Sequence, residues 1–116
     1  MRPPAIDRPS LAAAWWAART LRAARRALPR SALDGVCLPS PPPLPHRAER
    51  GVLAVLRIGR ASCLERSLVL QRWLAAHEEP RDVVIGVAPP STGFAAHAWL
   101  EGEPTRGYHE VARLES

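Results

Sequence analysis

The stretch SCLERSLVLQRWLAAHEEPRDVVIGV, Ser62 to Val87, decides the fold. Ser62 followed by Glu65 fits a capping box, in which the hydroxyl and the carboxylate each take a backbone donor at the start of a helix. Leu64, Ser67, Leu68, Gln71, Leu74 and Ala75 then fall along one stripe, predicting a helix from Ser62 to about His77. Pro80 ends it, and the β-branched run Val83-Val84-Ile85-Gly86-Val87 reads as a strand.

Downstream, Pro89-Pro90-Ser91-Thr92-Gly93 is a turn leading into a second strand, Phe94 to Glu101. A third strand, Tyr108 to Leu114, follows the polar segment Gly102 to Gly107, and the last two strands are expected to pair as an antiparallel hairpin. Upstream, Ala48 to Ile58 reads as a short helix with Val52, Val55 and Leu56 inward and Gly59 as its stop. Between Cys37 and Pro45 the run CLPSPPPLP has too few amide donors for helix or sheet and favours an extended, packed connector. Before it, Leu11, Trp15, Ala18, Leu21 and Leu28 recur near helical spacing while Arg19, Arg22 and Arg26 gather on another face. Ser10 is the expected cap of that helix and Pro29 its end, with residues 1–9 a loose arm. Helices first and a small sheet after them define an α+β domain, with its core expected over 48–116. Residues 1–47 supply the arm, the basic helix and the connector to one compact domain.

Composition narrows the class. A chain of 116 residues has room for one core, and a fold of this size buries roughly 60 to 70% of the surface its unfolded chain exposes. With 47% hydrophobic and 23% charged residues it is globular, although 13 prolines keep part of it out of regular structure. All 16 basic residues are Arg, giving a formal charge of +5, which suits acidic partners. The apolar stretch Leu11 to Ala18 is followed by Arg rather than preceded by it, which argues against a signal peptide, and it is far short of the ~20 residues a membrane span needs. A reducing cytoplasm is therefore expected, in which Cys37 and Cys63 stay free.

Cys63 sits in the first turn of the capped helix. There the unpaired amides and the positive end of the helix dipole favour a thiolate, the nucleophilic form, and could also hold a tetrahedral oxyanion. A thiol nucleophile needs a base that titrates near neutrality. Of His46, His77, His97 and His109, His97 stands apart, because Phe94-Ala95-Ala96-His97-Ala98-Trp99-Leu100 offers one titratable ring in an apolar strand. A third group, carboxylate or amide, would orient the imidazole. Beyond His97 the carboxylates are Glu101, Glu103, Glu110 and Glu115, and a hairpin turning near Pro104 would bring Glu110 diagonal to His97 on the same face. Slipped by one residue, that register would present His109 instead. Zinc-binding spacings and a phosphate-cradling glycine loop are both missing, so neither metal nor cofactor is expected.

Three blocks, Ser62-Cys63-Leu64-Glu65-Arg66-Ser67-Leu68-Val69-Leu70-Gln71, Val84-Ile85-Gly86-Val87 and Phe94-Ala95-Ala96-His97-Ala98-Trp99-Leu100-Glu101, together resemble the transglutaminase-like peptidase of lasso-peptide biosynthesis. The blocks lie within residues 62–101, about a third of the chain. The resemblance implies a transglutaminase-like (papain-like) core over 48–116 and a Cys-His-acid mechanism that cuts the leader from a ribosomally made precursor peptide before an ATP-dependent lasso cyclase closes the ring. Cys63 would attack and His97 would act as base, then acid. In the family the third member is commonly an Asp, at a place His109 and Glu110 occupy here. Members carry a leader-recognition domain or obtain it as a separate protein, and the length of this chain suits the split form. The partners the resemblance implies are thus the precursor, a separate leader-recognition protein and, as a further candidate, the ATP-dependent cyclase, with no nucleic acid and no transmembrane segment. The competing reading is a non-catalytic scaffold whose basic helix binds an acidic peptide or nucleic acid in a salt-sensitive way.

Overall fold

In the computed structural model, residues 7–88 and 95–116 are described. The expected turn at 89–93, Phe94 and the first six residues of the expected arm lie outside them. Three helices come first, α1 (Arg8–Ala27), α2 (Glu49–Ile58) and α3 (Cys63–Ala75), and three strands follow, β1 (Val83–Val87), β2 (Ala96–Leu100) and β3 (His109–Leu114). The architecture is α+β, as the order of elements predicts.

Helix α1 begins earlier than expected. Asp7, not Ser10, is its N-cap and accepts from the Ser10 amide, so Arg8 and Pro9 belong to the first turn rather than to an arm. Proline is suited to that turn because its missing N–H would have had no partner. The buried face is also rotated from the expected one: Ala13, Trp16, Ala17, Thr20, Leu21 and Ala24 pack inward, whereas Leu11, Trp15 and Ala18 face outward. Small residues make the difference, because the Ala-lined face lets a second helix come close. At the crossing with α2, Gly51 is so near α1 that a Cβ there would lie 2.1 Å from the Ser10 carbonyl oxygen.

One core joins α1, α2, α3 and the sheet, and Trp73, Val52, Val69 and Val83 are fully buried in it. Across it Trp16 and Trp73 approach to 5.9 Å between ring centroids. The connector after α1 runs without regular structure but is fastened along its length. Trp16 Nε1 donates to the Pro39 carbonyl, and the two nitrogens of His77 lie 2.8 Å from the Trp73 carbonyl and 2.9 Å from that of Leu44.

Sheet topology departs from the expected hairpin. The strand order is β2-β1-β3, all neighbours antiparallel, so β1 lies between the two strands that were expected to pair. Val83, Ile85, Ala98, Leu100 and Leu114 belong to the side packed on the helical core, while Val84, Gly86, His97 and Trp99 occupy the other face. The physical reason lies in the apolar pattern. Val83 and Val84 are both buried, so β1 is covered on both faces and takes the central place, whereas β3 is mostly exposed and takes an edge. Strand β2 forms the other edge, and it is the edge that meets the tip of α3.

Candidate active site

Cys63 is the first residue of α3, where the capping box predicted from sequence is complete. The Glu65 amide donates to Ser62 Oγ at 3.1 Å and the Ser62 amide to Glu65 Oε1 at 2.9 Å. Arg25 of α1 reinforces it, donating from Nε to the same Glu65 oxygen at 3.2 Å and from Nη2 to the Gly59 carbonyl at 2.6 Å. One arginine of the basic helix therefore serves to hold the start of α3. With Glu65 and Ser62 satisfied and the Arg66 amide bonded to the Ser62 carbonyl, the amides of Cys63 and Leu64 are the first-turn donors left without a partner among the described residues. Such amides can receive a developing oxyanion.

Opposite the helix tip stands the free edge of β2. The Ala98 amide points away from β1 and donates to Cys63 Sγ at 3.4 Å, so the sulfur touches the residue next to His97. His97 and Cys63 line one cleft of about 250 Å³, together with Arg66, Ala98, Trp99, Glu103, Pro104 and Arg106. The thiol reaches it from the helix side and the imidazole from the opposite face of the edge strand. Among the described residues no hydrogen bond joins Sγ to the imidazole; in free enzymes such contacts are commonly long and tighten when substrate binds.

Aromatic rings, rather than a carboxylate, pack against the imidazole. His97 stacks on Trp99 at 5.8 Å with 21° between planes, and Tyr108 stands 5.0 Å away at 36°. Glu110 is not brought to the cleft. His97 and Glu110 are both register partners of Gly86, on its two sides, so their backbones stand two strand spacings apart, roughly 9.5 Å. The Trp99 ring fills the lane over Gly86 between them. A hairpin register would have made the two neighbours, and the interposed β1 removes it.

Glu110 is instead bound by Arg113, whose Nε and Nη2 donate to its two oxygens at 2.7 and 2.9 Å. That contact holds its carboxyl below the usual range. The same guanidinium reaches Asp82 at 3.1 Å and Glu101 at 2.5 Å, and these three carboxylates, Glu110 first, push the Arg113 pKa up. His109 begins β3 as an exposed residue, and Glu115 lies beyond the strand.

Glu103 is the carboxylate that does line the cleft. Its Oε1 accepts from the Leu100 amide at 2.8 Å, and Arg66 Nη1 lies 3.3 Å from Oε2. In the sequence Glu103 stands out only as one of four carboxylates beyond His97, and Arg66 has no assigned role. Yet Arg66 stands three residues after Cys63, a spacing that puts both on one helix face and could have drawn attention to it. Trp99 and Tyr108 carried no comparable signal, because their meeting with His97 depends on the sheet. Among the described residues no group of His, Cys, Asp and Glu gathers that could hold a metal ion. Likewise no helix among them is long and apolar enough to cross a membrane.

Compared with known protein families, residues 1–115 match the transglutaminase-like superfamily. Comparisons with curated proteins and with solved structures give no match.

Proposed function

The chain belongs to the transglutaminase-like superfamily, a family containing cysteine peptidases, and from that membership we propose that it is a cysteine endopeptidase that removes the leader from a lasso-peptide precursor. The observation that carries the reading is the shared cleft, in which the thiol at the tip of α3 accepts from the amide beside the candidate base. The three sequence blocks around Cys63, Val84 and His97 support the finer assignment of substrate.

In this mechanism Sγ, as thiolate, attacks the scissile carbonyl carbon, and the negative charge passes to the carbonyl oxygen within reach of the Cys63 and Leu64 amides. The imidazolium of His97 gives its proton to the leaving amine as the C–N bond breaks, leaving a thioester on Cys63. Water then attacks the thioester and His97 takes its proton, the C–S bond breaks to release the new carboxyl end, and Sγ departs as thiolate beside the imidazolium, the pair from which the cycle began. The site is a cleft beside an edge strand, a setting that suits an extended peptide. A separate leader-binding protein delivers the precursor in this reading, and an ATP-dependent cyclase receives the freed core.

Mass spectrometry of a precursor incubated with the chain, with and without a leader-binding partner protein, tests it. Release of intact leader and core by the wild type, and its loss in Cys63→Ala and His97→Ala at unchanged circular dichroism, is the expected result. Continued cleavage by the Cys63→Ala protein would remove the nucleophile assignment. A product joined to an added amine rather than to water would point to acyl transfer instead.

A further inference from the structure

Two elements carry the proposed reacting groups, and the only covalent link between them is a long detour through β1. Helix α3 holds Cys63 and edge strand β2 holds His97, while the chain between Ala75 and Ala96 passes through β1 and beyond it. Something must fix the tip of the helix against the strand to within the small tolerance that proton exchange needs.

Glu103 stands where such a fastening is required. It lies in the turn after β2, and Oε1 takes the Leu100 amide of β2 at 2.8 Å. The same carboxylate meets Arg66 Nη1 of α3, with Oε1 at 3.5 Å and Oε2 at 3.3 Å. Arg66 is one turn beyond Cys63, and Leu100 is three residues beyond His97. All of Cys63, Arg66, His97 and Glu103 line the cleft.

We infer that Glu103 is a positioning residue: its carboxylate, by holding the Leu100 amide and the Arg66 guanidinium together, braces β2 against the first turns of α3 and sets the spacing of thiol and imidazole. The inference rests on the reading that Cys63 and His97 act as a pair, and it assigns Glu103 no contact with substrate. A carboxylate shared between a backbone amide and a guanidinium is a charge-assisted, geometrically selective contact, so it suits a brace better than an apolar contact would.

The sign of the effect separates a brace from simple electrostatics. Removing Glu103 frees Arg66 beside the thiol, and by charge alone a freed cation favours the thiolate and speeds its reactions. A lost brace slows them. The experiment is the alkylation of Cys63 by iodoacetamide across a range of pH, in full-length protein carrying Cys37→Ser so that one thiol is read. His97→Ala should lower the rate at neutral pH by about tenfold and change the shape of the pH profile, as should Glu103→Ala and Arg66→Met. Glu103→Gln, which keeps an oxygen for the Leu100 amide, should recover part of the loss. The double variant Arg66→Met, Glu103→Ala should fall no further than either single variant. Glu79→Gln, which weakens two surface pairings outside the cleft, with Arg81 and His46, is the control and should match the parent.

A rate raised or unchanged by Glu103→Ala, or losses that multiply in the double variant, overturns the brace. If Glu103→Ala does not fold, Glu103→Gln and Arg66→Met decide, and parental rates in both overturn it. Alkylation needs no peptide substrate. A chain that alkylates as expected but cuts no precursor therefore supports the brace while sinking the leader-peptidase reading, and an alkylation profile indifferent to His97→Ala sinks the pairing beneath both.

Discussion

The indole of Trp99 lies against the bare Cα of Gly86, so closely that a Cβ added there would come within 2.7 Å of Cη2. The same indole stacks on His97. A backbone position in the central strand thus governs, through one aromatic ring, where the candidate base stands.

Gly86→Ala tests that relationship. The added methyl must also lie 2.8 Å from the His109 carbonyl oxygen, which is backbone and cannot swing away, so Trp99 has to move and His97 loses its stacking partner. The proposed leader cleavage should fall by roughly ten- to a hundredfold in kcat. Overpacking should cost about 1 to 3 kcal/mol of stability. Single-turnover cleavage and urea unfolding measure the two effects separately.

Glu110→Gln should leave cleavage nearly intact. The carboxylate is committed to Arg113 on the far side of β1, so kcat/KM should stay within about twofold, against the ~10⁴-fold loss seen when a catalytic acid that orients a His is neutralised. A loss approaching the larger figure would restore Glu110 to the site. The sign on stability follows from its depressed pKa: ion pairing with Arg113 contributes above the ordinary carboxylate range and fades as acid protonates Glu110.

Asp7 provides a second pH-dependent contribution, at the N-cap of α1. Hydrogen bonds from Ser10, with help from Arg47, hold its carboxyl at about 2 instead of 3.8. A depressed folded-state value means that the stabilisation is complete above 3.8 and disappears as the pH falls through about 2. Asp7→Asn keeps a capping oxygen and removes the charge. Melting curves should therefore separate the two proteins at neutral pH and converge in strong acid, and a gap that persists unchanged in strong acid would contradict the assignment.

Gly51→Ala should loosen the helical layer. Its methyl would face the Ser10 carbonyl oxygen at 2.1 Å and the Ala14 amide nitrogen at 3.2 Å, both backbone atoms, so α1 and α2 must separate. The expected cost is about 1 to 3 kcal/mol, read as a lower urea midpoint with an unchanged slope.

How much of this was legible in the chain differs from element to element. The start of α3 was readable, because a capping box involves only residues three apart and Ser62 and Glu65 satisfy each other locally. Strand β1 was readable from its β-branched run, and its bounds agree with the structure. For α1 the periodicity of Leu11, Trp15 and Ala18 pointed to the wrong face, since weighting large apolar residues overlooks that Ala and Gly let two helices approach closely. The strand order was read as a hairpin because sequence neighbours usually pair, whereas burial on both faces puts β1 at the centre.

The amino-acid sequence by itself determined the α+β class, the capped helix tip bearing Cys63 and the isolated His97, because each depends on residues within a few positions of one another. Only the tertiary structure decided that β1 separates His97 from Glu110, that Trp99 and Tyr108 flank the imidazole, and that Glu103 reaches Arg66. Those pairings join residues far apart along the chain, and their geometry is set by how the sheet packs against α3, which no local spacing encodes.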